Sequence, residues 1–119
     1  MPKVLLAEDD FTMVSLLKTL LKMEGFGVIA LDADDDVPRA VHRENPDVLL
    51  MDVHLFRQDG LEILDAIRSD PHISRVNVVM TSGMNLRDEC LRRGATEFLL
   101  KPFMPQDLVA TLKRVIKPL

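Results

Sequence analysis

Val48-Leu49-Leu50-Met51-Asp52 is an apolar run that ends on a single carboxylate. Pro46-Asp47 precedes it and polar residues follow, so so short a run reads as a strand buried on both faces. In an open parallel sheet, function collects outside the carboxyl ends of the strands. Asp52 stands at such an end.

Working outward, Val4-Leu5-Leu6-Ala7 is a second buried-strand run, stopping on Glu8-Asp9-Asp10. Met13, Leu16, Leu17, Leu20 and Leu21 follow at helical spacing, with Asp10 as the expected N-cap and Gly25 as the expected stop. Phe26 to Leu31 reads as a short strand. The acidic run Asp32 to Asp36 then leads into a weaker helix over Val37 to Glu44, with Pro38 tolerable in its first turn. After Asp52 comes a loop that ends in the turn signal Asp59-Gly60. A helix follows with Ile63, Leu64 and Ile67 inward, stopped by Asp70-Pro71. Val76 to Met80 is the fourth strand, ending at Thr81-Ser82. Asn85 is the expected cap of a short helix to Arg93, supported by Asp88–Arg92 and Glu89–Arg93 pairs and ended by Gly94. Glu97 to Leu100 is the fifth strand, ending in Lys101-Pro102. The last helix starts near Pro105, with Leu108, Leu112, Val115 and Ile116 on one face.

Five strand–helix alternations in 119 residues imply one α/β domain, a parallel sheet covered by helices on both faces. Right-handed crossovers place every strand's carboxyl end on the same edge. That edge collects Glu8 and Asp9 from the first strand, Asp52 from the third, Thr81 from the fourth and Lys101 from the fifth. Two carboxylates ~4 Å apart repel by about 4 kcal/mol at an effective dielectric near 20. A cluster of three relieves this by raising a pKa or by binding a cation, and oxygen donors of this kind suit Mg²⁺. An aspartate is ionised at neutral pH and can attack phosphorus without a general base, giving an aspartyl-phosphate. Phosphoryl transfer then needs positioning and charge neutralisation, which Lys101 and the Thr81 hydroxyl can supply beside the metal.

Composition narrows the class further. Forty-seven per cent hydrophobic and 29 % charged residues are ordinary for a globular chain. Lys18, Lys22 and Glu24 interrupt the longest candidate for a membrane span, and the start Met1-Pro2-Lys3 is too short for a signal peptide. The single cysteine, Cys90, excludes an internal disulfide and fits a reducing compartment, so a cytoplasmic location is expected. A net charge of −4 argues against direct nucleic-acid binding by this domain. Taken alone, Thr81 is an ordinary strand residue, Lys101 a strand-end lysine, and Phe98 either core or a moving aromatic. Cys90 reads as a small packed side chain, and His42 and His72 as solvated surface residues without zinc-ligand spacing.

The motifs Leu5-Leu6-Ala7-Glu8-Asp9-Asp10, Pro46 to Asp52, Asp59-Gly60, Val78-Val79-Met80-Thr81-Ser82 and Gly94 to Phe103 occur together in this order. With them, essentially the whole chain, 1–119, resembles a receiver domain of a two-component response regulator (CheY-like). The resemblance implies a flavodoxin-like (βα)5 three-layer sandwich with strand order 2-1-3-4-5. It implies that Asp52 is the phospho-accepting residue, supplied by a histidine kinase or phosphotransfer protein. It further implies a Mg²⁺ (or Mn²⁺) site made by Glu8, Asp9, Asp52 and the backbone carbonyl of His54. Lys101 is similar to the phosphate-pairing lysine that precedes a cis peptide to Pro102. Thr81 and Phe98 resemble the switch hydroxyl and switch aromatic, and His54 and Gly83 occupy the positions that tune dephosphorylation. The responding surface is expected on the fourth helix, fifth strand and fifth helix. It would be read by an output partner, a fused effector domain or a phosphorylation-dependent second copy.

Phe56 stands where the family usually has proline, and Ser82 where alanine is commoner. A small aspartate-nucleophile phosphatase is a different class, but its usual second aspartate falls at His54. A degenerate receiver acting as a phosphorylation-independent interaction module would lack a key residue, and all are present. The expectation is thus a switch and not a metabolic enzyme, catalysing only its own phosphorylation and dephosphorylation. No DNA-binding or catalytic domain follows the last helix within the 119 residues, so a stand-alone receiver or a fragment is expected, with Lys117-Pro118-Leu119 as the start of a linker.

Overall fold

A computed structural model of the chain describes residues 1–55 and 57–116. Phe56 and the Lys117-Pro118-Leu119 segment, on which two of the sequence expectations fall, lie outside the described residues. The elements run β1 (Lys3–Ala7), α1 (Phe11–Met23), β2 (Gly27–Ala30), α2 (Val37–Glu44) and β3 (Val48–Asp52), then α3 (Gly60–Ser69), β4 (Asn77–Ser82), α4 (Arg87–Arg92), β5 (Glu97–Leu100) and α5 (Pro105–Ile116). All five strands pair in parallel in the order β2-β1-β3-β4-β5. This is the flavodoxin-like order 2-1-3-4-5.

The central stretches of β1, β3 and β4, Val4 to Ala7, Val48 to Met51 and Val78 to Met80, are continuously apolar because both faces are covered. Leu5, Leu49, Met51, Val78 and Met80 join a core with Val41 of α2, Leu64 and Ile67 of α3 and Cys90 of α4. The alternate residues Val4, Leu6, Val48, Leu50 and Val79 pack with Leu17 and Leu21 of α1 and Leu108 and Leu112 of α5. Successive strand side chains point to opposite faces, so one uninterrupted apolar run serves two cores.

The local signals act mostly as expected. Asp10 caps α1, its carboxylate accepting from Met13 N at 3.1 Å, and Asp36 caps α2 through Arg39 N at 3.1 Å. Gly25, at φ +92°, takes the left-handed conformation beyond the end of α1. Asn85 differs from expectation. The cap position of α4 falls on Leu86, whose side chain makes no capping bond, and the Asn85 side chain instead accepts from Arg87 N at 3.3 Å. Arg92 pairs with Glu89 three residues back and not with Asp88, while Arg93 keeps the expected Glu89 pair at 3.9 Å and also reaches Asp65 on α3. The stretch after Asp52 is also more ordered than a plain loop: His54–Leu55 and Gln58–Asp59 form a minimal antiparallel ladder. Arg57, in the turn of that ladder, has φ +66°.

Arg68 holds the connections around β4. Its guanidinium donates to the carbonyls of Gly94 (2.8 Å), Ser74 (2.9 Å) and Val76 (2.7 Å). Arg68→Ala is expected to cost about 2 to 4 kcal/mol, since three half-buried carbonyls lose a charged donor. Urea unfolding checks this: the midpoint should fall with an unchanged slope, and a loss below about 1 kcal/mol would contradict it.

Candidate functional site

Each charged residue of the predicted site sits where a strand runs out. Glu8 and Asp9 follow the end of β1, Asp52 is the last residue of β3, and Lys101 follows the end of β5. Parallel pairing brings these ends to one edge. Lys101 Nζ donates to Glu8 Oε1 at 2.6 Å and to Asp52 Oδ2 at 2.7 Å. The remaining oxygens are bonded from the backbone: Glu8 Oε2 accepts from Asp9 N (3.1 Å) and Asp10 N (3.4 Å), and Asp52 Oδ1 from His54 N (3.0 Å). Glu8 and Asp52 are buried, at 7 % and 9 % exposure, whereas Asp9 is exposed.

Burial pushes the Glu8 carboxyl above its ordinary value. The hydrogen bond and charge of Lys101 pull it back, and the Asp52 charge adds to the rise. Burial alone would draw Lys101 down, but its bonds to Asp52 and Glu8, with their charges, prevail and hold the ammonium above its usual value. Lys101 is therefore a fixed cation.

Glu8, Asp9 and Asp52 each present an oxygen within 4.8 Å of the others'. When ionised, these three carboxylates against one ammonium leave a formal excess of two negative charges (three minus one). The donors are all hard oxygens, without nitrogen or sulfur. That set fits Mg²⁺ or Mn²⁺.

Thr81 is buried and pairs in register with Asp52 across β3 and β4, and its carbonyl accepts from Val53 N at 2.8 Å. Glu8, Asp52, Thr81 and Lys101 line one cavity of about 10 Å³. The Lys101-Pro102 bond is cis. Phe98 is 1 % exposed, packed in the core on the side of α2, α3 and α4. His54 reaches the site through its backbone N–H, its side chain being exposed. Gly83 borders open space: nothing lies within 4 Å of where a Cβ would stand.

Two residues beneath the site were not singled out for it by sequence reasoning. Gln58 Nε2 donates to the carbonyls of Ala33 (3.1 Å) and Asp35 (3.3 Å), tying the segment after Asp52 to the acidic run. Gly60 packs against the backbone of Asp52 itself: a Cβ there would lie 2.5 Å from Asp52 O and 2.8 Å from Val53 Cα. The Asp59-Gly60 dipeptide was the available signal. Its first residue caps α3, with Asp59 Oδ1 accepting from Leu61 N at 2.9 Å, and its second supplies clearance.

A family model described as the response regulator receiver domain matches residues 4–113. The chain belongs to this family. The receiver domain is 38 % identical over 125 aligned residues to the transcriptional regulatory protein CpxR of Escherichia coli (strain K12), covering 98 % of this chain and 50 % of CpxR. The chain thus spans about half the length of the curated relatives it matches. Among solved structures, the receiver domain of the sensor histidine kinase PA1611 from Pseudomonas aeruginosa PAO1 superposes with a TM-score of 0.86 at 27 % identity, covering 98 % of each chain. That structure carries a magnesium ion coordinated in its active site cleft. The chemotaxis protein CheY4 of Vibrio cholerae gives a TM-score of 0.85 at 26 % identity, covering 97 % of this chain and 98 % of that one.

Gly60→Ala tests whether the Asp52 backbone rests on this clearance. The substitution should cost about 1 to 3 kcal/mol, the usual size of overpacking, and move the amide resonances of Asp52 and Val53. Wild-type stability and spectra would show that the contact does not constrain the site.

Proposed function

We propose that residues 1–119 act as one receiver unit whose Asp52 takes a phosphoryl group from a histidine kinase or phosphotransfer protein. The observation that carries this is the Lys101 ammonium set 2.7 Å from Asp52 Oδ2 and 2.6 Å from Glu8 Oε1, beside a third carboxylate. A catalyst that merely needed an acid would have no use for a fixed cation and two further acids at that point. A phosphoryl acceptor needs both.

In the transfer, an Asp52 oxygen bonds to phosphorus while the bond from phosphorus to the donor's imidazole nitrogen breaks. The donor histidine keeps that electron pair and is left with a free nitrogen to protonate. The product is an acyl phosphate on Asp52. Glu8, Asp9, Asp52 and the His54 carbonyl would hold Mg²⁺, which would supply charge neutralisation to the phosphoryl oxygens. Lys101 pairs with the transferred group, exchanging its Glu8 contact for a phosphate oxygen, and the Thr81 hydroxyl donates to another. Phe98 follows Thr81 as the switch aromatic. The exposed His54 side chain and the bare backbone of Gly83 set how readily water reaches the acyl phosphate.

The response appears on the α4–β5–α5 face, read by an output partner, a fused effector domain or a second copy. Inverting a population of about 1:99 takes about 5.5 kcal/mol of preference for the active form, which the new phosphate contacts of Mg²⁺, Lys101 and Thr81 are placed to provide. No helix among the described residues is long and apolar enough to cross a membrane, and a cytoplasmic site of action accords with that. The completeness of the charged cluster disfavours a degenerate, phosphorylation-independent module.

Acetyl phosphate with Mg²⁺ should add one phosphoryl group to the intact chain, seen by mass spectrometry. Asp52→Asn or removal of Mg²⁺ with a chelator should abolish it. Labelling that persists in Asp52→Asn would overturn the assignment. Asp9→Asn should weaken Mg²⁺ binding in a calorimetric titration by at least about tenfold, the loss seen even for outer-shell partners of metal ligands. Unchanged affinity would remove Asp9 from the metal site.

A further inference from the structure

The helix α4 is poorly supported for its position beside the output face. It has six residues and one buried side chain, Cys90; its cap residue, Leu86, makes no side-chain bond, and only Asn85 Oδ1 accepts from its first N–H. So short a segment does not hold helical structure by itself. Its C-terminal end is anchored on α3, where Arg93 donates two hydrogen bonds to the Asp65 carboxylate. Its N-terminal end is held by Arg87 instead.

Arg87 is the first residue of α4, where a cation opposes the helix dipole; Asp88 and Glu89, in the same turn, are the charges the dipole favours. Helix stability does not explain an arginine there. Its contacts do. Arg87 Nη2 donates to the Phe98 carbonyl at 3.0 Å, and the guanidinium carbon lies 5.9 Å from the centroid of the Phe98 ring. One planar cation thus engages the backbone and the ring of the same buried residue, within cation–π range. Phe98 lies on β5, the edge strand, three residues before Lys101. Lys101 bonds Asp52 at one end of this short stretch, and Arg87 bonds Phe98 at the other.

We infer that Arg87 is a latch: it favours the inward Phe98 and seats the first turn of α4 on β5 in that arrangement, so that a change at Asp52 reaches α4 through it. The inference rests on Asp52 being the phosphoacceptor and Phe98 the responding aromatic. When the Phe98 ring leaves its inward position, Arg87 loses the ring contact and keeps only the backbone carbonyl, and the first turn of α4 is freer to move about the Arg93–Asp65 anchor. By linkage, whatever favours the inward state also strengthens binding of a phosphoryl group that favours it.

The test compares wild type, Arg87→Gln, Arg87→Lys and Asp65→Asn by NMR, free and with Mg²⁺ and beryllofluoride as the phosphoryl analogue. In free Arg87→Gln, the Phe98 ring signals should shift or split, and the Cys90 and Arg93 amides should exchange about tenfold faster or more. Its apparent affinity for beryllofluoride should fall at least about fivefold. Arg87→Lys, which keeps the charge but not the planar group, should lie between. Asp65→Asn should speed α4 exchange while leaving the Phe98 ring and the beryllofluoride affinity as in wild type. A folded Arg87→Gln with wild-type Phe98 signals and wild-type affinity would overturn the latch. If Arg87→Gln does not fold, Arg87→Lys decides by the same criteria. If the Val53 and His54 amides of the wild type ignore beryllofluoride, the phosphoacceptor reading fails instead, and the free-state ring and exchange data still judge whether Arg87 holds Phe98.

Discussion

The bond from the Lys101 ammonium to both Glu8 and Asp52 is the constraint on which the site depends. It joins the carboxyl ends of β1, β3 and β5 through one part-buried cation, across a strand order that leaves β4 between two of them. Two buried carboxylates at this separation would otherwise repel, and removing one partner from such a buried group leaves an uncompensated charge worth about 3 to 5 kcal/mol. The same bond explains the pKa directions: Glu8 is raised by burial and only partly restrained by Lys101, while Lys101 is held charged by its two acids.

A phosphoryl group on Asp52 would replace the single carboxylate charge with up to about two on the acyl phosphate, a net gain of about one negative charge at this edge. Lys101, already shared between two acids, then has a stronger claimant than Glu8. A movement of Lys101 would be carried by β5, which also bears Phe98, and α4 rests on that residue through Arg87. A change of charge at one strand end would thereby become a change of packing at α4. On the proposed reading the cluster would differ from a turnover site: the acceptor residue's own charge state would change, and the product would be an altered surface.

The fold was legible because fully buried strands lack alternation. Val4 to Ala7, Val48 to Met51 and Val78 to Met80 read as apolar runs, and their carboxyl ends named the acids and the lysine. Capping by Asp10 and Asp36, and the stop at Gly25, are local interactions that a sequence displays directly. What was hidden lies between residues far apart in the chain. His42 is exposed, as expected, but also bonds Asp70 at 2.7 Å, and its ring stands 5.9 Å from that of His72. Gln58, Arg68 and Arg87 are ordinary polar residues in sequence, and only the tertiary fold shows which carbonyls they satisfy. The Asn85 expectation failed for a related reason. Its side chain satisfied a backbone N–H two residues on, within the turn, and the helix began later than the capping preference suggested.

The most direct measurement of the central claim is a crystal structure of the chain with Mg²⁺ and beryllofluoride. The expected result places the analogue on an Asp52 carboxylate oxygen, the metal among Glu8, Asp9, Asp52 and the His54 carbonyl, and Lys101 Nζ on a fluoride with its Glu8 bond broken. Density for the analogue away from Asp52, or a saturated crystal in which Lys101 still bridges Glu8 and Asp52 as before, would contradict it.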